Sequence, residues 1–210
     1  MKTSILTIVV VAAAIAGSHA QNDSMEKFAF GLKIGANYAN VYDQKGEKFN
    51  ADPRFGLAAG AFFAIPLGKF VGIQPEILYS EKGFKAKGQL LGIAYDATRT
   101  SSYLDIPLLL AVKPIPFLTI LAGPQFSYLL KQKDSFSGGG SSIDQQKIFN
   151  NDNLRKNTLG FVGGLDINLD HLVVGARIGW DLLNNNGDGT SVTPRYKNTW
   201  LQATLGYRLF

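Results

Sequence analysis

Every second residue is apolar through eight separate stretches of this chain, and a period of two predicts eight β-strands, each with one apolar face. In the first stretch Phe28, Phe30, Leu32, Ile34, Ala36 and Tyr38 share one side, and Ala29, Gly31, Lys33, Gly35 and Asn37 share the other. In the fifth, Leu118, Ile120, Ala122, Pro124, Phe126 and Tyr128 oppose Thr119, Leu121, Gly123, Gln125 and Ser127. The last sets Leu201, Ala203, Leu205, Tyr207 and Leu209 against Gln202, Thr204, Gly206 and Arg208. Segments 55–65, 71–80, 104–113, 159–167 and 172–182 repeat the scheme.

The connections alternate in size. Short turns fall at 66–69, 114–116 and 168–171, and long polar segments at 41–54, 83–102, 131–157 and 184–198. That alternation predicts an all-β fold, an eight-stranded antiparallel up-and-down transmembrane β-barrel with short periplasmic turns and long extracellular loops. Each apolar face is five or six residues deep, which suits the ~9–11 residues that a tilted strand needs to cross a bilayer. Aromatic residues gather at both ends of these faces. Phe28, Phe63 and Tyr207 lie near the short-turn rim, and Tyr79, Phe126, Tyr128, Trp180 and Trp200 toward the long-loop rim, as aromatic belts at two interfaces require. A soluble sandwich or lipocalin-type barrel also alternates, but its outward polar face carries abundant Lys, Glu and Thr. Here the polar side is largely Gly and Ala with isolated charges, which suits a narrow lumen.

The first twenty residues read as an address. Lys2 precedes the run Ile5 to Ile15, apolar except for Thr7, and Ser18-His19-Ala20 offers small residues for a signal peptidase. The run is shorter than the ~20 residues of a spanning helix. A cleavable signal peptide over 1–20 and one barrel domain over 21–210 follow. No cysteine is present, so disulfides and thiol chemistry are excluded. The net charge of +5 is scattered along the chain, unlike the concentrated basic patch of a nucleic-acid surface.

The inward side collects charges: Lys33, Glu76, Asp105, Asp166, Arg177, Asp181 and Arg208. In a confined lumen such charges must pair, because an unpaired buried charge is costly. Gln74, Gln125, Gln202, Asn37, Thr119 and Thr204 can complete the hydrogen bonding. Two readings compete, an ion path and a polar plug. The plug is favoured because an eight-strand barrel is only wide enough for side chains, with Glu76, Asp105 and Arg177 expected at its centre. Catalysis is hard to assemble. Beyond the signal the sole histidine is His171, in a short turn, and Asp43, Glu47 and Asp52 read as solvated loop charges. Asn185, Asn186 and Asp188 resemble a calcium loop only in composition, so no metal, catalytic or cofactor site is assigned. Recognition is expected on the long loops. Segment 83–102 is expected to extend its strands as a hairpin, and 131–157, with its Ser/Gly run, reads as polar and mobile.

The phrases GIQPEILYSEKGF (residues 72–84), YLDIPLLLAVKP (103–114) and GPQFSYLL (123–130) resemble the PorT-like outer-membrane β-barrel family, common in Bacteroidota. The opening FGLKIGANYANV (30–41) and the closing LGYRLF (205–210) are similar in kind, so the resemblance spans nearly the whole chain after the signal. It implies an integral outer-membrane barrel without catalytic residues. Its partners would be outer-membrane lipid, the barrel-assembly machinery during biogenesis, and an extracellular or periplasmic protein. Family members often end Tyr-x-Phe, whereas here Phe210 follows Tyr207 by three positions, so assembly would rest on Tyr207 and Leu209. A secretion-accessory or porin-like barrel is the alternative, and a lipid-modifying enzyme a more distant one.

Overall fold

The computed structural model describes residues 27–42, 51–90, 93–138, 141–147, 155–185 and 196–209; the predicted signal peptide lies outside them, as do Asp43, Glu47, Asn186 and Asp188. Nine strands follow in chain order: β1 Ala29–Tyr42, β2 Ala51–Pro66, β3 Val71–Leu90, β4 Ile93–Ile115, β5 Leu118–Gly138, β6 Ser141–Lys147, β7 Asn157–Leu169, β8 Leu172–Asp181 and β9 Lys197–Arg208. Eight of them form a ring in the order β4-β3-β2-β1-β9-β8-β7-β5, closed by a β4–β5 pairing. Every pairing is antiparallel. Closure gives the ring no free edge, which is the condition for strands to stand in lipid. The start of β1 and the end of β9 meet at the short-turn rim, where Leu209 N donates to Phe30 O at 2.8 Å.

The ninth strand is a finding that the alternation did not contain. One edge of β5 pairs with β7 over residues 118–128 and with β6 over 132–138. Segment 131–157, expected to be mobile, therefore contributes the outer part of β5 and all of β6. Segment 83–102 extends as the expected hairpin, with Leu90 opposite Ile93. Gly83 is the irregular point in it. Its φ of 145° suits glycine, and a Cβ there would lie 2.0 Å from Arg99 O. At the other rim Asp170 takes φ 54° in the tight β7–β8 turn, a left-handed conformation that Asp tolerates.

The two faces of each strand meet different surroundings. Leu32, Ile34, Ile77, Leu108, Leu110, Ile120, Leu165, Val174, Ile178, Leu201 and Leu205 all point outward and are 43–58% exposed. A continuous apolar girdle of that extent is unfavourable in water and requires an apolar solvent. Ring pairs mark its limits: Phe30–Phe63 at 4.9 Å on one side, Tyr38–Phe55 at 4.9 Å and Phe161–Trp180 at 5.5 Å on the other. Among the predicted belt residues, Phe28, Tyr79, Phe126, Tyr128 and Tyr207 are exposed, and Phe63 and Trp180 are half-buried on the same outer face.

Candidate functional site

The polar side chains meet inside the ring, in two groups. Nearer the short-turn rim, Lys33 Nζ on β1 lies 2.6 Å from Glu76 Oε2 on β3. Arg177 on β8 grips Asp166 on β7 with both ends of its fork, Nη1 to Oδ1 at 2.8 Å and Nη2 to Oδ2 at 2.9 Å. The same Nη1 donates to Leu165 O at 2.8 Å, and Nη2 stands 3.7 Å from Glu76 Oε1. Gln74 Nε2 ties the pairs together, donating to Glu76 at 2.8 Å and to Asp166 at 3.3 Å. Two cations thus face two anions. β3 and β8 lie four strands apart in either direction round the ring, so the Glu76–Arg177 approach crosses the full width of the lumen.

The second group sits toward the long-loop rim. Lys82 Nζ on β3 lies 2.9 Å from Asp105 Oδ2 on β4 and 3.7 Å above the Trp200 ring, with the Tyr103 ring 5.0 Å away. Asp181 accepts from Asn198 N at 3.2 Å and also from Asn198 Nδ2, which in turn reaches Tyr103 Oη at 3.4 Å. Asn37 bridges Ser80 and Gln202, both at 2.9 Å. Trp200 also joins a buried apolar cluster with Ala39, Leu109, Ala111, Leu121 and Val162.

Three expectations change. Trp200, expected in the outer aromatic belt, is 2% exposed and points inward. It shares even parity with Gln202 and Thr204, and strand alternation leaves it no other face. Asp105, expected at the centre with Glu76 and Arg177, has Lys82 as its ion-pair partner instead. Arg208 is only half-buried and belongs to the short-turn rim, donating to Asn168 Oδ1 at 2.8 Å. Lys82 was absent from the expected inward set. A strict period-two count from Glu76 through Leu78 and Ser80 reaches it, because β3 runs on to Leu90, past the predicted segment 71–80.

The inward glycines explain how so many side chains fit. A Cβ on Gly179 would sit 2.3 Å from the Trp200 ring, and one on Gly164 would sit 2.6 Å from Arg177 Cδ. These positions are sockets for the large inward groups.

Above the second group Phe84, Val41 and Tyr196 form a small apolar cluster. The Arg99 guanidinium lies against Phe84 and Tyr196, holds Asp134 through Nε at 2.7 Å and Nη2 at 2.8 Å, and donates to Tyr196 Oη at 3.0 Å. Burial works against the Arg99 charge, but Asp134 outweighs it and raises its pKa above the ordinary range. Burial raises the Tyr196 hydroxyl pKa, against the opposing pull of Arg99. His171 is exposed in its turn, stacked on Tyr207 at 5.6 Å. Among the described residues no group of His, Cys, Asp and Glu is arranged to hold a metal.

No curated protein matches this sequence. Among solved structures, the chain is similar to Ail, the attachment invasion locus protein of Yersinia pestis, at 15% identity over 87% of this chain and 99% of that one, with a TM-score of 0.46. It is also similar to the outer membrane protein OprG from Pseudomonas aeruginosa, at 13% identity over 89% and 99% of the two chains, with a TM-score of 0.42. Neisserial surface protein A gives 12% identity over 87% and 99%, with a TM-score of 0.43. Residues 19–186 match the family model described as outer membrane protein beta-barrel domain. With its closed ring, outward apolar girdle and that match over most of its length, the chain belongs to the outer-membrane β-barrel domain family and is a small outer-membrane protein.

Proposed function

We propose that this protein is a non-enzymatic outer-membrane barrel, sealed by its own side chains, that presents its outer strands and connections for envelope structure or for contact with a partner. The observation that carries the reading is the ion-pair bridge across the lumen, from Lys33 and Glu76 to Arg177 and Asp166. A conducting pore keeps its charges on the wall and its centre wet. Here the charges close on one another, and Phe62 and Trp200 fill further space at 4% and 2% exposure. The lone histidine beyond the expected signal lies in a turn on the opposite rim from the long loops, which supports the absence of acid–base chemistry there.

The phrases at 72–84, 103–114 and 123–130 support a place within the PorT-like branch, and the pattern of residues 1–20 supports export by a cleaved signal. Tyr207 and Leu209, both exposed on the outer face, are then the residues offered to the assembly machinery. Single-channel recording of the refolded barrel in a planar bilayer tests the reading. No steady current is expected; sustained conductance overturns the seal. Turnover of phospholipid by the pure protein would overturn the non-enzymatic reading.

A further inference from the structure

Above the row formed by Tyr79, Leu104 and Tyr128, the ring is no longer closed among the described residues. There β5 leaves β7 and pairs with β6, and one side of the wall rises as a ribbon of β3, β4, β5 and β6. Two inward rows cross this ribbon. The lower sets Lys82, Ser101 and Gln132 side by side, and the upper sets Phe84, Arg99 and Asp134. Three irregularities fall at the level of the lower row. They are Gly83 on β3, with its φ of 145°, and two register shifts, one between Pro53 and Ala58 on the β2–β3 seam and one between Ser102 and Tyr103 on the β4–β5 seam. Where the ladder is interrupted on two seams at one height, the strands above can bend as a unit.

The upper row reaches beyond the ribbon. β4 and β9 lie four strands apart in either direction round the ring, yet Arg99 Nη1 on β4 donates to Tyr196 Oη, one residue before β9, at 3.0 Å. On its own side Arg99 is fixed by its two bonds to Asp134, so one guanidinium ties the ribbon to the opposite wall. Phe84 meets the Tyr196 ring edge-on at 5.4 Å, and Val41 completes the apolar contact. Beneath this bridge lie Lys82, Asp105 and Asp181, all buried. The protein offers no donor to Oδ1 of Asp105 or of Asp181, at 1% and 3% exposure. A buried carboxylate oxygen without a donor favours any state in which water reaches it. The bridge therefore holds the mouth closed while the group beneath it favours opening, which makes a two-state balance.

We propose that the ribbon is a lid on the long-loop end of the lumen, latched by the Arg99–Tyr196 bond and bending at the level of Gly83. Open, it admits water to Lys82, Asp105 and Asp181; closed, it buries them. The lid acts above the seal of Lys33, Glu76, Arg177 and Asp166. Chemical access to a side chain reads the lid and ion current reads the seal, so failure of one is told apart from failure of the other.

The chain has no cysteine, so a single reporter thiol can be placed at Ser101, buried in the lower row between Lys82 and Gln132. In the folded barrel Ser101→Cys should react far more slowly with a charged methanethiosulfonate reagent than the same thiol in the urea-unfolded chain. Adding Arg99→Met removes a hydrogen bond made by a charged group and should raise the folded-state rate at least about tenfold. Adding Tyr196→Phe instead, which keeps the ring against Phe84, should raise it several-fold. A second reporter, Thr119→Cys, is buried near the short-turn rim and should respond to neither change. A Ser101 reporter that already reacts as fast as the unfolded chain, or that neither change accelerates, overturns the proposal. Equal acceleration at Thr119 also overturns it, because that marks loosening of the whole barrel. If heat-modifiable gel migration shows the Arg99→Met variant unfolded, Tyr196→Phe decides alone, and an unchanged rate there overturns the proposal equally.

Discussion

Replacing Arg177 by Met should destabilise the barrel by about 3–5 kcal/mol, because it leaves buried carboxylates without their counter-charge. Arg177 makes two hydrogen bonds to Asp166 at 2.8 and 2.9 Å and one to Leu165 O at 2.8 Å. Its loss leaves Asp166 with a 3.3 Å bond from Gln74 in a site about 4% exposed. Glu76 suffers less, since Lys33 remains 2.6 Å away. Asp166→Leu alone strands the Arg177 charge in turn and should cost a similar ~3–5 kcal/mol. The double variant Arg177→Met/Asp166→Leu removes both charges, keeps the Lys33–Glu76 pair neutral and fills the space with apolar groups. Such replacements of a whole pair are often neutral, so the double variant should be more stable than either single one. Reversible urea unfolding in detergent micelles or small vesicles, followed by intrinsic fluorescence and gel migration, gives the three values. Single losses below about 1 kcal/mol that simply add in the double variant would refute the view that these charges form one desolvated unit.

Gly179→Val should cost about 1–3 kcal/mol by overpacking, since even a Cβ would sit 2.3 Å from the Trp200 ring; the same unfolding assay reads it, and an unchanged midpoint would contradict the socket role. The two tryptophans should differ in lipid contact: bromine on acyl chains should quench Trp180, seen in Trp200→Phe, more strongly than Trp200, seen in Trp180→Phe. Equal quenching would contradict the inward position of Trp200. At the ribbon base, the raised Tyr196 pKa stabilises the fold fully below the ordinary value of 10.0, and that contribution is lost as pH rises through the folded value. Protection of the amides in β3–β5 beyond the membrane, taken relative to their intrinsic base-catalysed exchange, should therefore fall above about pH 10. Tyr196→Phe should remove that alkaline dependence, and a dependence that persists would point to another group.

Much of this protein is legible from period and parity alone. Alternation of large apolar with small or polar residues marks eight strands, and the short and long connections order them, because a strand in lipid has one dry face and the chain must cross the membrane each time. Lys33, Glu76, Asp166, Arg177 and Asp181 are inward on parity, and the structure finds each of them buried. Parity also places Trp200 and Lys82 inward, Trp200 in step with Gln202 and Thr204 and Lys82 because β3 runs on to Leu90. Pairing is another matter. That Arg177 takes Asp166 with its fork and meets Glu76 across the ring, while Asp105 turns to Lys82, depends on strand stagger and ring width, which fix the height of each side chain. The ribbon of β3 to β6 was equally hidden beyond its first hairpin. Outside the membrane alternation no longer separates lipid from lumen, so Lys131, Lys133 and the serines after them read as loop until β4 and β6 supply the hydrogen bonds that hold the outer part of β5 extended. The sequence by itself determined which face of each strand meets lipid, because that choice is made residue by residue. Only the closed ring decided which charges meet, because residues far apart in the chain come within bonding distance only once the last strand pairs with the first.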